Sequence, residues 1–109
     1  MPTTYKVLGQ SNPSATTNTS LYTVPAATSA VLSTVTICNQ ASTAGTFRIA
    51  VRPAGASIAT QHYIAYDTPI AANDTIALTL GITLATTDVV TVYASSATMS
   101  FAAFGSEIS

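Results

Sequence analysis

The sequence of 109 residues predicts an all-β protein, and three observations support this prediction. Apolar and polar residues alternate with a period of two, as expected when one face of each strand is buried. Groups of Asn, Pro, Gly and Ser separate the alternating runs at intervals of roughly 8–12 residues, the spacing of strands in a sandwich or barrel. No stretch combines the helical period of 3.6 with helix-capping residues, so we expect almost no helix.

The alternating runs define about eight antiparallel strands. They are residues 5–8, 21–24, 31–38, 46–51, 61–66, 75–84, 89–94 and 100–104. β-Branched and aromatic residues, which strands favour, are concentrated in these runs. The clearest run predicts a single core face of five apolar residues: Ile76, Leu78, Leu80, Ile82 and Leu84. In the third run we expect Val31, Val35 and Ile37 to face the core.

The length is that of one domain, so we predict a single β-sandwich domain over residues 1–109. Residues 1–4 are polar, and we expect them to form a flexible arm. Residues 10–19 are rich in Asn, Ser, Thr and Pro, which predicts a long loop that buries nothing. Pro25 cannot donate a hydrogen bond to a sheet, so a strand must end there or lie on a sheet edge.

Charged residues make up only 6% of the chain, against roughly 25% in ordinary soluble domains. The basic residues Lys6, Arg48 and Arg52 do not form the cluster that binding to nucleic acid requires. No apolar run approaches the roughly 20 residues of a spanning helix, so we expect no membrane partner. Two interpretations of the low charge stay open: an ordinary Thr-rich β domain, or a surface that packs against copies of itself or a larger scaffold.

Catalytic and metal-binding chemistry has few candidates in this sequence. His62 is the single histidine and Asp67 lies five residues further on, but neither forms part of a recognisable triad pattern. We therefore expect His62 to be a partly buried or interface-facing strand residue, and an enzyme would need a second functional group near it. One His and one Cys cannot form a structural zinc site, and Asp74 and Asp88 are expected to cap turns. The sequence thus predicts no catalytic, cofactor-binding or metal-binding residue.

Cysteine and tyrosine are two further side-chain types that can serve functional roles. Cys38 lies in a predicted strand, which favours an inert core thiol. The tyrosines are dispersed along the chain at positions 5, 22, 63, 66 and 93, and tryptophan is absent. A core edge or a subunit interface is therefore favoured over a carbohydrate-binding platform for them.

Residues 21–39, with the sequence LYTVPAATSAVLSTVTICN, resemble a segment of short virion structural proteins of tailed bacteriophages. Residues 71–84 (AANDTIALTLGITL), 87–94 and 101–108 are similar to later parts of the same proteins, so the resemblance extends from about Lys6 onward. The shared motif is a strand, a turn with a proline and a second strand, and it implies no functional residue. What the resemblance implies is a jelly-roll-like β-sandwich, often in a trimer.

The resemblance implies a capsid cement (decoration) protein on the outside of the virion. Such a protein binds the assembled major capsid protein and stiffens the shell, and the low charge suits a permanent contact of this kind. The alternative is a tail or fibre accessory protein that contacts the host surface. A long exposed loop lined by aromatic residues would favour that alternative, and the sequence predicts none.

Overall fold

The computed structural model describes residues 2–109 and contains eight β-strands. Their bounds are β1 Thr3–Ser11, β2 Thr19–Thr23, β3 Ser29–Asn39, β4 Gly45–Arg52, β5 Tyr63–Ile70, β6 Thr75–Leu84, β7 Val89–Ala94 and β8 Met99–Ile108. Two short 3-10 turns, Pro53–Gly55 and Thr60–His62, connect β4 to β5. The predicted class, eight antiparallel strands with almost no helix, is confirmed. Pro25 follows the end of β2, as its missing N–H group requires.

The strands form two four-stranded sheets. The first sheet has the order β1-β8-β3-β6 and the second has the order β2-β7-β4-β5. The first strand pairs with the eighth, the second with the seventh, the third with the sixth and the fourth with the fifth, always antiparallel. Each sheet therefore combines strands that are distant in the sequence, and the predicted β-sandwich is confirmed.

The hydrophobic core lies between the two sheets. Phe47 of the second sheet meets Phe101 of the first edge to face, with ring centroids 6.3 Å apart. The largest fully buried side chains are mainly apolar: Phe47, Phe101, Leu32, Ile37, Ile49, Ile70, Met99, Val24, Val35, Val90, Val92 and Asn39. Asn39 is the polar member, and its amide donates to the carbonyl oxygens of Thr43 and Ala71. Its burial is therefore compensated by hydrogen bonds.

An extra residue at Ser33 changes which side of β3 faces the core. Leu32 pairs with Gly105 and Thr34 with Phe104, so Ser33 has no partner of its own in β8. The inward side is therefore even-numbered before Ser33 and odd-numbered after it. Val35 and Ile37 are fully buried, as predicted, but the prediction for Val31 is wrong. Leu32 is buried in its place, and Val31 is only partly buried.

Strand β6 has a matching irregularity. Leu32 pairs with Ile82 and Thr34 with Thr79, so Leu80 and Gly81 form a two-residue bulge. Gly81 has φ +67°, a left-handed conformation that glycine adopts without steric cost. Because the bulge adds an even number of residues, even-numbered side chains of β6 face the core side both before and after it. Leu80 itself is 37% exposed, so its predicted place on the core face is wrong.

The polar segments near the start of the chain are more ordered than the sequence suggests. Thr3 and Thr4 pair with the end of β8, so β1 begins within the predicted arm of residues 1–4. Met1, also part of that arm, lies outside the described residues. Residues 12–18 form the connection between β1 and β2, and Pro13 in it is buried, which contradicts the prediction that this loop buries nothing.

The bulge in β3 predicts opposite outcomes for two valines. Val35→Asp would bury an unpaired carboxylate, at a cost of several kcal/mol against a total stability of about 5–15 kcal/mol. We expect this variant to be unfolded by circular dichroism. Val31→Asp is the matched control and should fold, with a loss of at most about 1 kcal/mol in denaturant titration, because its side chain lies on the outer face. A folded Val35→Asp protein, or equal losses at both positions, would contradict the assignment.

Candidate binding surface on the second sheet

The outer face of the second sheet carries a cluster of one arginine and two tyrosines. Phe47 and Ile49 of β4 point into the core, so Arg48 between them points outward. Its guanidinium carbon lies 4.2 Å from the ring centroid of Tyr66 in β5 and 4.2 Å from that of Tyr93 in β7. Each contact is a cation–π interaction, and the planar guanidinium is held between two aromatic rings on neighbouring strands.

A bulge in β5 places Asp67 beside the same arginine. Phe47 pairs with Thr68 and Ile49 with Ala65, so Tyr66 and Asp67 together lie opposite Arg48. Asp67 has φ +47°, a left-handed conformation that Asp tolerates better than most residues. Its carboxylate accepts two hydrogen bonds from Arg48, Nε to Oδ1 at 2.7 Å and Nη2 to Oδ2 at 3.3 Å. The bulge therefore supplies both an aromatic and an anionic partner.

The guanidinium is held on three sides at once. The hydrogen bond to Asp67 raises the pKa of Arg48 above its ordinary value, against a smaller opposing effect of desolvation. An arginine held by a two-pronged carboxylate contact and two rings loses little further rotamer freedom when a partner binds. The cluster is thus a rigid, amphipathic feature on an exposed sheet face.

The ring of Tyr66 makes two contacts within this site. Arg48 covers one face of Tyr66, and Tyr63 meets the same ring edge to face at a centroid distance of 4.8 Å. Tyr66 is nevertheless 57% exposed. Sugar recognition uses open aromatic faces for stacking, whereas Tyr and Arg held in this way are typical of protein–protein contacts. We call Arg48, Tyr63, Tyr66, Asp67 and Tyr93 the arginine–tyrosine cluster.

The cluster is not evident in the sequence because its tyrosines are dispersed along the chain. Three of the five tyrosines meet there because β5, β4 and β7 are adjacent in the second sheet. The available signal was Arg48 within an alternating run whose neighbours Phe47 and Ile49 are apolar, which marks it as outward-facing. The bulge that brings Tyr66 and Asp67 to the same side has no comparable signal.

The outer face of the first sheet has a different character. Tyr5 is 84% exposed, and Val7 beside it is about half exposed. Together with Val31 and Phe104 they line a shallow apolar groove. The two outer faces therefore differ: one carries aliphatic and aromatic groups, and the other carries a charged and aromatic cluster.

His62 and Asp67 are not brought together. His62 ends a 3-10 turn instead of lying in a strand, and its Nδ1 accepts a hydrogen bond from the Ala59 amide at 3.0 Å. That bond, together with the bond from the His62 amide to the Ala59 carbonyl oxygen, closes the turn and delays the start of β5. Asp67 contacts Arg48 instead. His62 and Asp67, which lie five residues apart in the sequence, therefore have separate structural partners.

The other candidate residues are accounted for by turns and by the outer face. Asp74 accepts a hydrogen bond from the Thr75 amide, and Asp88 accepts from the amides of Ala54 and Ala85. Both carboxylates stabilise connections, as the sequence predicts. Cys38 is only partly buried and lines a shallow depression on the outer face of the first sheet, so the predicted core position of its thiol is wrong.

Within residues 2–109, no three His, Cys, Asp or Glu side chains are grouped closely enough to share a metal ion. The same part of the chain contains no helix long and apolar enough to cross a membrane. Comparison of the chain with protein-family models, with curated proteins and with solved structures finds no match.

A second polar cluster joins the two sheets at one corner of the sandwich. Glu107 in β8 accepts hydrogen bonds from Lys6 Nζ in β1, at 3.1 Å, and from the Tyr22 hydroxyl in β2. Its side chain is only 15% exposed. The hydrogen bond from Tyr22 lowers the pKa of Glu107 below its ordinary value of 4.5. Desolvation opposes this effect, and the contact with Lys6 adds to it. Burial and the Glu107 carboxylate raise the pKa of Tyr22. No pattern in the sequence indicates this contact.

The lowered pKa of Glu107 predicts acid-sensitive stability. A carboxylate whose pKa is lower in the folded state contributes stability above its unfolded pKa of 4.5, and that contribution is lost as the pH falls through the folded value. We expect the melting temperature of the wild type to fall more steeply between about pH 5 and about pH 3 than that of Glu107→Gln.

Tyr22→Phe is the matched variant, because it keeps the buried ring and removes the hydroxyl donor. Its melting temperature should also depend less steeply on pH over that interval. If both variants retain the full steepness of the wild type, the acid sensitivity does not originate at Glu107.

Proposed function

We propose that this chain is a structural protein of a virion, specifically a cement protein on the exterior of a tailed-bacteriophage capsid. In this role it binds the assembled major capsid protein and stabilises the shell, and it performs no catalysis. The observation that carries the proposal is the rigid arginine–tyrosine cluster, exposed on one sheet of a sandwich that is otherwise almost free of charge.

The composition of the surface supports a lasting contact. Thr, Ala and Ser supply 51 of the 109 residues, so much of the surface consists of hydroxyl and methyl groups. Such groups cost less to desolvate than charges do, and a net charge of −1 gives little repulsion between neighbouring copies. A large protein surface can therefore cover this one without burying unpaired charges.

The arginine–tyrosine cluster supports a specific contact. Tyr and Arg are, with Trp, the residue types enriched among those that dominate interface energies, and they act best when fixed before binding. Arg48 is fixed by Asp67 and by two rings, and Asp67 keeps an exposed edge with 46% of its side chain accessible. We assign this face to the contact with the major capsid protein.

The strand order agrees with the architecture that the sequence resemblance implies. The strands pair in a nested way, from the first with the eighth to the fourth with the fifth, and the pairs are distributed over the sheets β1-β8-β3-β6 and β2-β7-β4-β5. This is the winding expected of an eight-stranded jelly roll. We therefore assign the sandwich to the jelly-roll type. The fold alone does not imply the function, and the proposal depends on the surface described above.

A tail or fibre component is the competing location. Host attachment through a glycan would use open aromatic faces, whereas Arg48 covers one face of Tyr66 and Tyr63 packs perpendicular to that ring. The geometry thus gives the capsid contact more support.

Immunogold labelling of intact particles tests the location directly. We expect gold over the heads, because a cement protein is exposed on the outer surface of the shell. Gold confined to the tail would replace the capsid assignment with the tail or fibre alternative. Unlabelled particles, with the epitope shown to be accessible in a particle spiked with the protein, would contradict a virion role.

Binding to purified capsid shells that lack this chain tests the contact surface. Tyr66→Ala should weaken binding about 30-fold or more, because truncation of a dominant interface residue costs about 2 kcal/mol or more. Tyr5→Ala is the matched control: it removes a tyrosine from the opposite sheet that is 84% exposed, against 57% for Tyr66, and it should leave binding unchanged. Loss on Tyr5→Ala with retention on Tyr66→Ala would place the contact on the first sheet.

A further inference from the structure

The sandwich has four edge strands, and three of them are protected against pairing with another chain. β1 carries Lys6 and a bulge at Leu8, and β2 is only five residues long. β5 contains Pro69, which has no N–H group to donate, and the bulge at Asp67. Charges, prolines, bulges and short length are the usual means by which proteins block edge-to-edge pairing.

β6 is the edge with the least protection. Its ten residues, Thr75–Leu84, include no charged residue and no proline. Residues 75–79 pair without interruption with residues 38–34 of β3, so this part of the strand is regular up to the bulge at Leu80. Since β6 is the last strand of its sheet, one side of its backbone has no neighbouring strand. A row of free N–H and C=O groups on a regular edge is a template for another extended strand.

The core beneath this edge is also incompletely covered. Ile76 and Leu78 pack against the buried cluster but are only partly buried themselves. Their cross-strand partners in β3, Ile37 and Val35, are fully buried. The difference arises because β3 has a strand on each side and β6 has one. A strand added beside β6 would remove further apolar surface of Ile76 and Leu78 from water.

We infer that β6 pairs antiparallel with β6 of a second copy of this chain, with Ala77 at the twofold axis. In this register Thr75 lies opposite Thr79 and Ile76 lies opposite Leu78, while the two small Ala77 side chains face one another. Apolar pairs thus extend the inner face, and threonine pairs extend the outer face, both of which are favourable cross-strand combinations. The strand is complementary to itself, which identifies a second copy as the partner.

The charges near β6 agree with this orientation. Asp74 immediately precedes the strand, so antiparallel pairing places the two copies of Asp74 at opposite ends of the contact. Parallel pairing would bring them side by side, where like charges repel. The contact uses the same surface on both copies, and it closes as a dimer with one eight-stranded sheet across the interface. A trimer would need two different surfaces.

The dimer contact is separate from the proposed capsid contact. β6 belongs to the first sheet, whereas the arginine–tyrosine cluster lies on the outer face of the second sheet. The inference therefore goes beyond the proposed function, and the experiments below use the isolated protein without capsid shells.

Light scattering coupled to size-exclusion chromatography, over a wide range of protein concentration, measures the expected assembly. The wild type should reach twice the chain mass of 11.1 kDa. Ala77→Lys would place two ammonium groups opposite one another at the axis, and we expect the mass to fall twofold, to that of the monomer. Ser57→Lys is the matched control: it adds the same charge on an exposed connection and should remain dimeric. Circular dichroism establishes that each variant is folded.

Disulfide cross-linking tests the register. In the Cys38→Ser background, Ala77→Cys should form an intermolecular disulfide under mild oxidation, because directly opposite residues bring their Cβ atoms within disulfide range. Ser57→Cys in the same background should not. A wild type that stays monomeric at every concentration, a trimer, or a dimer unaffected by Ala77→Lys would each overturn the inference.

Discussion

The register of the first sheet is the constraint on which the surfaces of this protein depend. The extra residue at Ser33 in β3, together with the bulges at Leu8 in β1 and at Leu80–Gly81 in β6, forms a row of irregularities across that sheet. On the far side of this row, the change of register determines which side chains face the core and which face outward. This change of register places Leu32 in the core and leaves Val31 to line the outer groove.

Most of the few charged side chains connect distant parts of the chain. Lys6 contacts Glu107 across β1 and β8, and Arg48 contacts Asp67 across β4 and β5. Arg52 donates to Thr91 in β7 and to the Ala56 carbonyl oxygen. Exposed ion pairs add little stability singly, but they fix geometry. With its basic residues placed in this way, the protein presents a nearly neutral exterior with one rigid charged feature.

The periodic part of the structure could be predicted from sequence, and the aperiodic part could not. Alternation located all eight strands and placed Val35 and Ile37 on the core face, because burial of one face imposes a period of two. A bulge breaks that period without a consistent residue signature, so Val31 and Leu80 were misplaced and the contact of Asp67 with Arg48 was not predicted. Strand order is a long-range property, and the meeting of Tyr66 with Tyr93 depends on it.

The position of β8 has a consequence for how the chain reaches its fold. β8 is the last of the eight strands to be synthesised, yet it lies between β1 and β3 in the middle of the first sheet. Until it emerges from the ribosome, β1 has no neighbour within its sheet, and the buried side of β3 lacks Phe101 and Met99. Pairing across so much intervening chain is slow, since loop closure must precede the contacts that reward it. Nascent chains therefore pass through a period in which apolar strands are unpaired, when they are most dependent on chaperones.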